Sequence, residues 1–288
     1  DKFIRLLNEN ARRHPQRIVF TEGDNYRILK AAEILISNGV AKPILLGSKE
    51  KMEAIIEEYQ LELQEAEFID IMADRDGREM YAARMYEFRK RRGWTMGECR
   101  SKIKSREYYG NMMLRDGGAD ALISGLTVKY PTALRPILRI IGMEEGMRKA
   151  AGMYILLSKR GPMFFADTTI NLDPSVEDLV QMVLNVADTV KRTNIVPKVA
   201  LLSYSNFGSS NGPDAHKMAK ASAILRKEHP DLIVDGEMQA NFALEPELLQ
   251  ESFPFSDLVG HQANVFIFPN LAAGNITYKM LQSFGAAE

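Results

Sequence analysis

The chain has 288 residues, 45% apolar and 26% charged, with a net charge of -1, the make-up of an ordinary globular protein long enough for two cores. A balance so close to neutral supplies no overall field to gather nucleic acid or an anionic membrane. Cys99 is the single cysteine, which excludes an internal disulfide and a thiolate-rich metal site and fits a reducing, cytoplasmic setting.

Short apolar runs alternate with amphipathic stretches, the pattern of an α/β protein built on a mainly parallel sheet. Residues 18–21 (IVFT) read as a strand that empties into Glu22-Gly23-Asp24-Asn25, with a helix over 26–37 stopped by Asn38-Gly39. Residues 43–46, 68–71 and 121–124 continue the strands, and a helix carrying Tyr109, Met112 and Met113 ends at Gly117-Gly118. Another helix is expected to start at Arg135. The character changes near residue 145, which marks a boundary between a first α/β lobe (1–145) and a second (146–282). The second opens with a hairpin, 153–157 and 163–167, joined through Lys159-Arg160-Gly161-Pro162. Leu179, Val183, Val186 and Val190 recur at helical spacing behind Pro174-Ser175. Then come a strand at 199–202, a helix over 215–227, and strands at 232–235 and 265–268. These runs are too short to span a bilayer and no signal peptide opens the chain. It begins at Asp1 without Met, and reads as part of something longer.

Three strand ends carry the chemistry. The first is PKVALLSYSNFGSSNGP, in which a buried strand runs into Ser205, Asn206, Gly208 and Ser209 before Pro213 opens a helix. Small residues admit a ligand close to the backbone, and a helix start offers unpaired N–H groups to a phosphate or an acyl oxyanion. A plain strand-to-helix connection would look the same. The second is Asp235-Gly-Glu-Met-Gln239, where Asp235 suits a base or an orienting group, Glu237 an acceptor of N–H groups, and Gln239 a polar contact. Solvated acids at a turn are the bland alternative. The third is Ser124-Gly125-Leu-Thr-Val-Lys129 with Arg135 just beyond, cations that suit an anionic ligand with more than one phosphate. Residues 84–106 hold nine Lys or Arg against Glu87 and Glu98. A solvated helical face accounts for that run, as does a site for an anionic cofactor such as coenzyme A. Base-stacking aromatics are too few for nucleic acid. No Walker loop, GxGxxG or GxSxG is present, and the four histidines show no metal-ligand spacing.

Glu22-Gly23, the segment 88–93 (FRKRRG), Ser124-Gly125, Leu134-Arg135-Pro136, Ala166-Asp167, Ser203 through Ser209, Asp235-Gly-Glu237 and Asn264-Val265 with Phe268-Pro269 stand in an order that resembles the phosphate acetyltransferase family over nearly the whole chain. The resemblance implies two α/β lobes with a cleft between them, a fold like isocitrate and isopropylmalate dehydrogenases, and a homodimer or higher oligomer. It places two anion-holding arginines on Arg89 and Arg135, and donors on Ser205 and Gly208. Phe207 stands where acetyltransferases carry lysine, Asn270 where Asp is usual and Thr277 where Gly is common. SNFGSS followed by DGEM looks like the acetyltransferase-like region of NADP-dependent malic enzymes. The family continues past the position of Glu288 through a Ser-Arg pair and an Asp tied to catalysis, leaving the catalytic group unassigned here, with Asp235 a candidate. The expected function is therefore an acetyl-CoA-sensing module, binding acetyl-CoA or a related acyl-CoA and regulating malate decarboxylation. No cofactor is expected in this chain; NADP and Mg or Mn would belong to an upstream malic-enzyme domain of the same polypeptide. The alternative is an active phosphate acetyltransferase. Nucleic acid, membrane and metal partners are not expected.

Overall fold

The computed structural model describes residues 2–285, and the chain divides into two compact units, Asp1–Gly142 and Met143–Glu288. Residues 283–288 are where the resemblance starts a return to the first lobe; 283–285 close the last helix, and 286–288 lie outside the described residues.

The first unit runs α1 (Lys2–Arg13), β1 (Gln16–Phe20), α2 (Tyr26–Ser37), β2 (Ala41–Leu46), α3 (Lys49–Tyr59), β3 (Glu67–Ile69), α4 (Arg75–Arg89), α5 (Met96–Lys102), α6 (Arg106–Arg115), β4 (Ala121–Ile123) and α7 (Tyr130–Ile140). Its strands are all parallel, in the order β3-β2-β1-β4. Successive strand residues point to opposite faces, and the core divides accordingly. Val19, Ile44 and Leu46 meet Met85 of α4 and Met112 of α6, while Phe20 and Leu45 meet Leu29 of α2 and Met52 of α3. The α2 turn forms where expected: the Asn25 side chain accepts the Arg27 N–H, and Gly39 takes φ +64° behind the C-cap.

Two expectations for this unit are corrected. The last helix starts at Tyr130, with Lys129 as N-cap and Pro131 in its first turn, so Arg135 stands mid-helix rather than at a helix start. Pro136 lies inside α7, where it is buried with Ala133 and Ile140 on one face. A proline is a common opening residue, but it also fits within a helix that tolerates one missing hydrogen bond. The basic run, likewise, is not one helical face. It breaks at a 3-10 turn, Lys90–Arg92, and Gly93 at φ +81° redirects the chain into Trp94.

The second unit runs β5 (Met153–Ser158), β6 (Gly161–Ala166), α8 (Val176–Arg192), β7 (Lys198–Leu202), α9 (Pro213–Glu228), β8 (Ile233–Met238), α10 (Ala240–Leu244), α11 (Pro246–Ser252), β9 (Val265–Ile267) and α12 (Leu271–Ser283). Its sheet is mixed, β5-β6-β9-β7-β8, with β5 antiparallel and the rest parallel. The β5–β6 hairpin is tighter than its sequence implied, since Ser158 already pairs with Gly161. All four apolar positions of α8 are buried, behind a Ser175–Asp178 capping box. The β7–β8 ladder slips between Leu201 and Leu202, opposite Gly236. A Cβ at Gly236 would lie 2.6 Å from the Leu201 carbonyl oxygen, and its φ is +144°, so only glycine fits.

Candidate functional site

In the first unit, β1 and β4 end side by side. Their exit loops are tied by the Glu22 carboxylate, which accepts the N–H groups of Gly125 (3.0 Å), Leu126 (2.8 Å) and Thr127 (2.5 Å), and the Thr127 hydroxyl. Burial alone would push Glu22 up, but the bonds from Thr127, Leu126 and Gly125 together outweigh it and hold the carboxyl below its ordinary range. Ser124 Oγ is paired with the Thr21 hydroxyl at 2.7 Å. Ser124 and Gly125 thus join β4's exit to β1, while Lys129 and Arg135 stand exposed further along.

The second unit repeats the device. Glu237, 2% exposed, accepts the Ser205 hydroxyl at 2.9 Å and the Gly208 N–H at 2.7 Å on one oxygen. The Phe207 N–H goes to the Glu237 carbonyl, and the amides of Ser205, Asn206, Ser209 and Ser210 go to Ser203 Oγ, Ser209 Oγ, the Asn206 carbonyl and Ser205 Oγ. Asn206 Oδ1 accepts the Gln239 N–H, and the Gln239 side chain donates to the Tyr204 carbonyl. The structure therefore gathers Ser205, Asn206, Gly208, Ser209, Glu237 and Gln239, but each backbone N–H from 205 to 210 has an internal acceptor. As it stands, this loop offers an anion none of those donors. Phe207 holds φ +48°, and its ring packs 5.0 Å from Phe253 and 4.9 Å from Phe255.

Asp235 faces elsewhere. Its carboxylate accepts the Ser256 hydroxyl at 2.7 Å and the Asp257 N–H at 2.9 Å, and it is 1% exposed. Asp167, unassigned in the sequence reading, likewise ties the amides of Thr169, Ile170, Asn171 and Gly152 at the end of β6.

The cations behave differently from one another. Arg84, Lys90, Arg100 and Arg106 are paired with Asp116, Glu87, Glu79 and Asp24. Arg89 is 8% exposed, and its Nε has no hydrogen-bond partner among the described residues. Burial, then Arg92 and Arg139 alongside, pull its guanidinium below the ordinary value. Its charge lies 4.8 Å from the centre of the Trp94 ring, which Lys102 (5.0 Å) and Arg139 (5.7 Å) also approach, while Arg139 donates to the Tyr108 hydroxyl. Arg135 precedes Arg139 by one helical turn, hence on the same flank of α7. Among the described residues no carboxylate pairs with Arg89, Lys102 or Arg139, and the group has the chemistry to hold an anion: clustered positive charge, an aromatic floor and a buried donor without a partner. Lys102 belongs to the basic run, but Tyr108 and Arg139 were not singled out in the sequence; the one available signal was a tryptophan inside that run. Among the described residues no three His, Cys, Asp or Glu side chains gather to hold a metal, and no helix is long and apolar enough to cross a membrane.

The family model described as phosphate acetyl/butaryl transferase matches residues 2–288. The chain is 37% identical over 284 residues to an NADP-dependent malic enzyme of Salmonella typhimurium, covering 97% of this chain and 37% of that protein. It is 33% identical over 292 residues to a phosphate acetyltransferase of Clostridium acetobutylicum, covering 99% and 87%. The solved EutD phosphotransacetylase from Staphylococcus aureus superposes with a TM-score of 0.90 at 28% identity, covering 100% and 87%. The chain thus spans little over a third of the malic enzymes it matches, but most of these phosphotransacetylases.

Proposed function

The chain belongs to the phosphate acetyl/butaryl transferase family, and on that premise we propose that it binds acetyl-CoA or a related acyl-CoA as the regulatory module of a malic enzyme. The observation that carries this reading is the cluster of Arg89, Lys102 and Arg139 in the first unit, gathered around Trp94 with the Arg89 Nε lacking a hydrogen-bond partner among the described residues. Phosphate groups of the nucleotide would be held by the arginines, with Arg135 as the exposed outer member. Transfer chemistry needs more: a base to form the thiolate, and free donors at the developing oxyanion. The Ser205 and Gly208 donors are held by Glu237, and Asp235 is occupied by Ser256 and Asp257, which supports binding over turnover. Malate decarboxylation, with NADP and a divalent metal, would reside in an upstream domain. Acetyl-CoA would regulate it by binding two states of the whole enzyme unequally.

A second reading, a working phosphate acetyltransferase, is favoured by one observation: the chain aligns along 87% of the Clostridium acetobutylicum enzyme. The two separate by experiment. Calorimetry with acetyl-CoA tests binding, and incubation with acetyl phosphate and coenzyme A tests thioester formation. Saturable binding without turnover supports the regulatory reading; enzyme-like turnover replaces it with the second, and neither binding nor turnover removes both.

A further inference from the structure

β3 is an edge strand of the first unit, and no further strand pairs with its outer side among the described residues. The Gly47 N–H bonds to the Ile69 carbonyl, with Leu46 opposite Ile69 in register, so the backbone groups of Ile69 point inward to β2. Alternation along a parallel ladder then turns the N–H and C=O of Phe68 outward, and neither meets a partner among the described residues. Proteins normally blunt such an edge.

Two hollows flank that edge, on opposite faces of the sheet. One, about 510 Å³, lies on the α4 and α6 side, walled by Met80, Tyr81 and Tyr109 and rimmed by Glu67, Asp70 and Asp74. The other, about 300 Å³, lies on the α3 side against Met52 and Ile56. Phe68 borders both. In the second hollow Lys49 and Glu53 pair with each other at 3.7 Å, so its character is apolar. In the first, Asp70 accepts the N–H groups of Lys49, Met72 and Ala73, while Asp74 accepts the Gly77 N–H and the Tyr109 hydroxyl. These bonds fix the carboxylates in place; Lys49 also lines the hollow and Arg106 acts on Asp70, so three acids face one lining cation and the rim stays acidic on balance.

We propose that this edge accepts an added β-strand from a partner polypeptide, an extended segment alternating basic and apolar residues. Side chains of a strand alternate between its two faces. A segment paired to Phe68 would send its basic residues into the acid-rimmed hollow, stems along the tyrosines and methionine, and its apolar residues into the smaller one. Charge chooses against a second copy: β3 beside its own duplicate would bring together two rims of Glu67, Asp70 and Asp74. The lining of these hollows shares no residue with the cation cluster, and the inference does not depend on acyl-CoA binding.

The probe is a blocked octapeptide alternating lysine and valine, titrated against the full chain by fluorescence anisotropy, beside a glutamate-valine counterpart. The lysine peptide should bind at least tenfold more tightly than its counterpart and shift the Phe68 amide resonance in phenylalanine-labelled protein. Phe68→Pro removes the outward N–H, and proline is tolerated at a sheet edge; affinity should fall about tenfold, one lost hydrogen bond plus obstruction by the ring. Glu67→Lys should weaken binding several-fold without unfolding an exposed position, and it decides the question with the amide shift should Phe68→Pro not fold. No binding at millimolar peptide, equal affinity for both peptides, or affinity unchanged in the variants that fold overturns the proposal. So does self-association through this edge, which would assign it to a second copy.

Discussion

Removing the Glu237 carboxylate is the most direct test of how the Ser205–Ser210 loop is held. One oxygen of that side chain accepts the Ser205 hydroxyl at 2.9 Å and the Gly208 N–H at 2.7 Å. Ser205 is fully buried, so in Glu237→Ala no water replaces its acceptor, a loss of about 1–3 kcal/mol. Gly208 is exposed and can be rehydrated, so its share is smaller, and the total comes to about 2–4 kcal/mol. Glu237→Gln keeps a carbonyl oxygen in place and loses only the charge assistance, a cost of about 1 kcal/mol. The assay is amide exchange across residues 205–210, because Trp94, the single tryptophan, reports on the other unit. Each 1.4 kcal/mol corresponds to about tenfold faster exchange, so alanine should accelerate the Gly208 and Phe207 amides roughly 30-fold or more and glutamine by less than tenfold. Protection unchanged in the alanine variant would refute the account of the loop.

Glu22 supplies a pH test in the first unit. Its folded carboxyl titrates below its unfolded value, so its contribution is complete above the unfolded pKa and is lost as acid carries the solution down through the folded one. Glu22→Gln should therefore flatten the acid limb of the stability curve read by Trp94 fluorescence; an acid limb as steep as the parent's would contradict this. Arg89→Ala should weaken acetyl-CoA binding at least tenfold, since a charge-assisted contact is worth about 1.5–3 kcal/mol, and Arg135→Ala several-fold; calorimetry with unchanged affinity in either removes that residue from the site. Gly236→Ala should cost roughly 3 kcal/mol, combining left-handed backbone strain with contact against Leu201; a melting curve unshifted from the parent would show that the ladder there can yield.

The alternation of strands and helices was legible because periodicity reports burial: the four apolar positions of α8 lie in the core, and the hairpin formed where its turn residues stood. Local signals failed where two fit the same residues. Arg135 read as the helix start because Pro131, in the first turn of α7, was not weighed. What the strand-end loops do was illegible for another reason. Glu22 reaches its donors across 103 to 105 residues and Glu237 across 29 to 32, and only the fold brings those partners together. Glu237 could be marked as an acceptor of N–H groups; that it would take up the donors meant for a ligand could not be foreseen. Arg89 was marked by the resemblance, but that its Nε would lack a partner while its neighbours pair with carboxylates elsewhere in the chain was not readable from the sequence.

Pro136 inside α7 has a mechanical consequence. Lacking an N–H, it withholds the bond that would tie it to the Thr132 carbonyl, so the helix loses one rung immediately after Arg135. The turn bearing Arg135 is joined to the turn bearing Arg139 by one backbone bond fewer than an uninterrupted helix would supply. If the proposed phosphate contact forms, the outer guanidinium stands on the more yielding stretch of the helix, and the inner arginine, packed against tryptophan, on the firmer one.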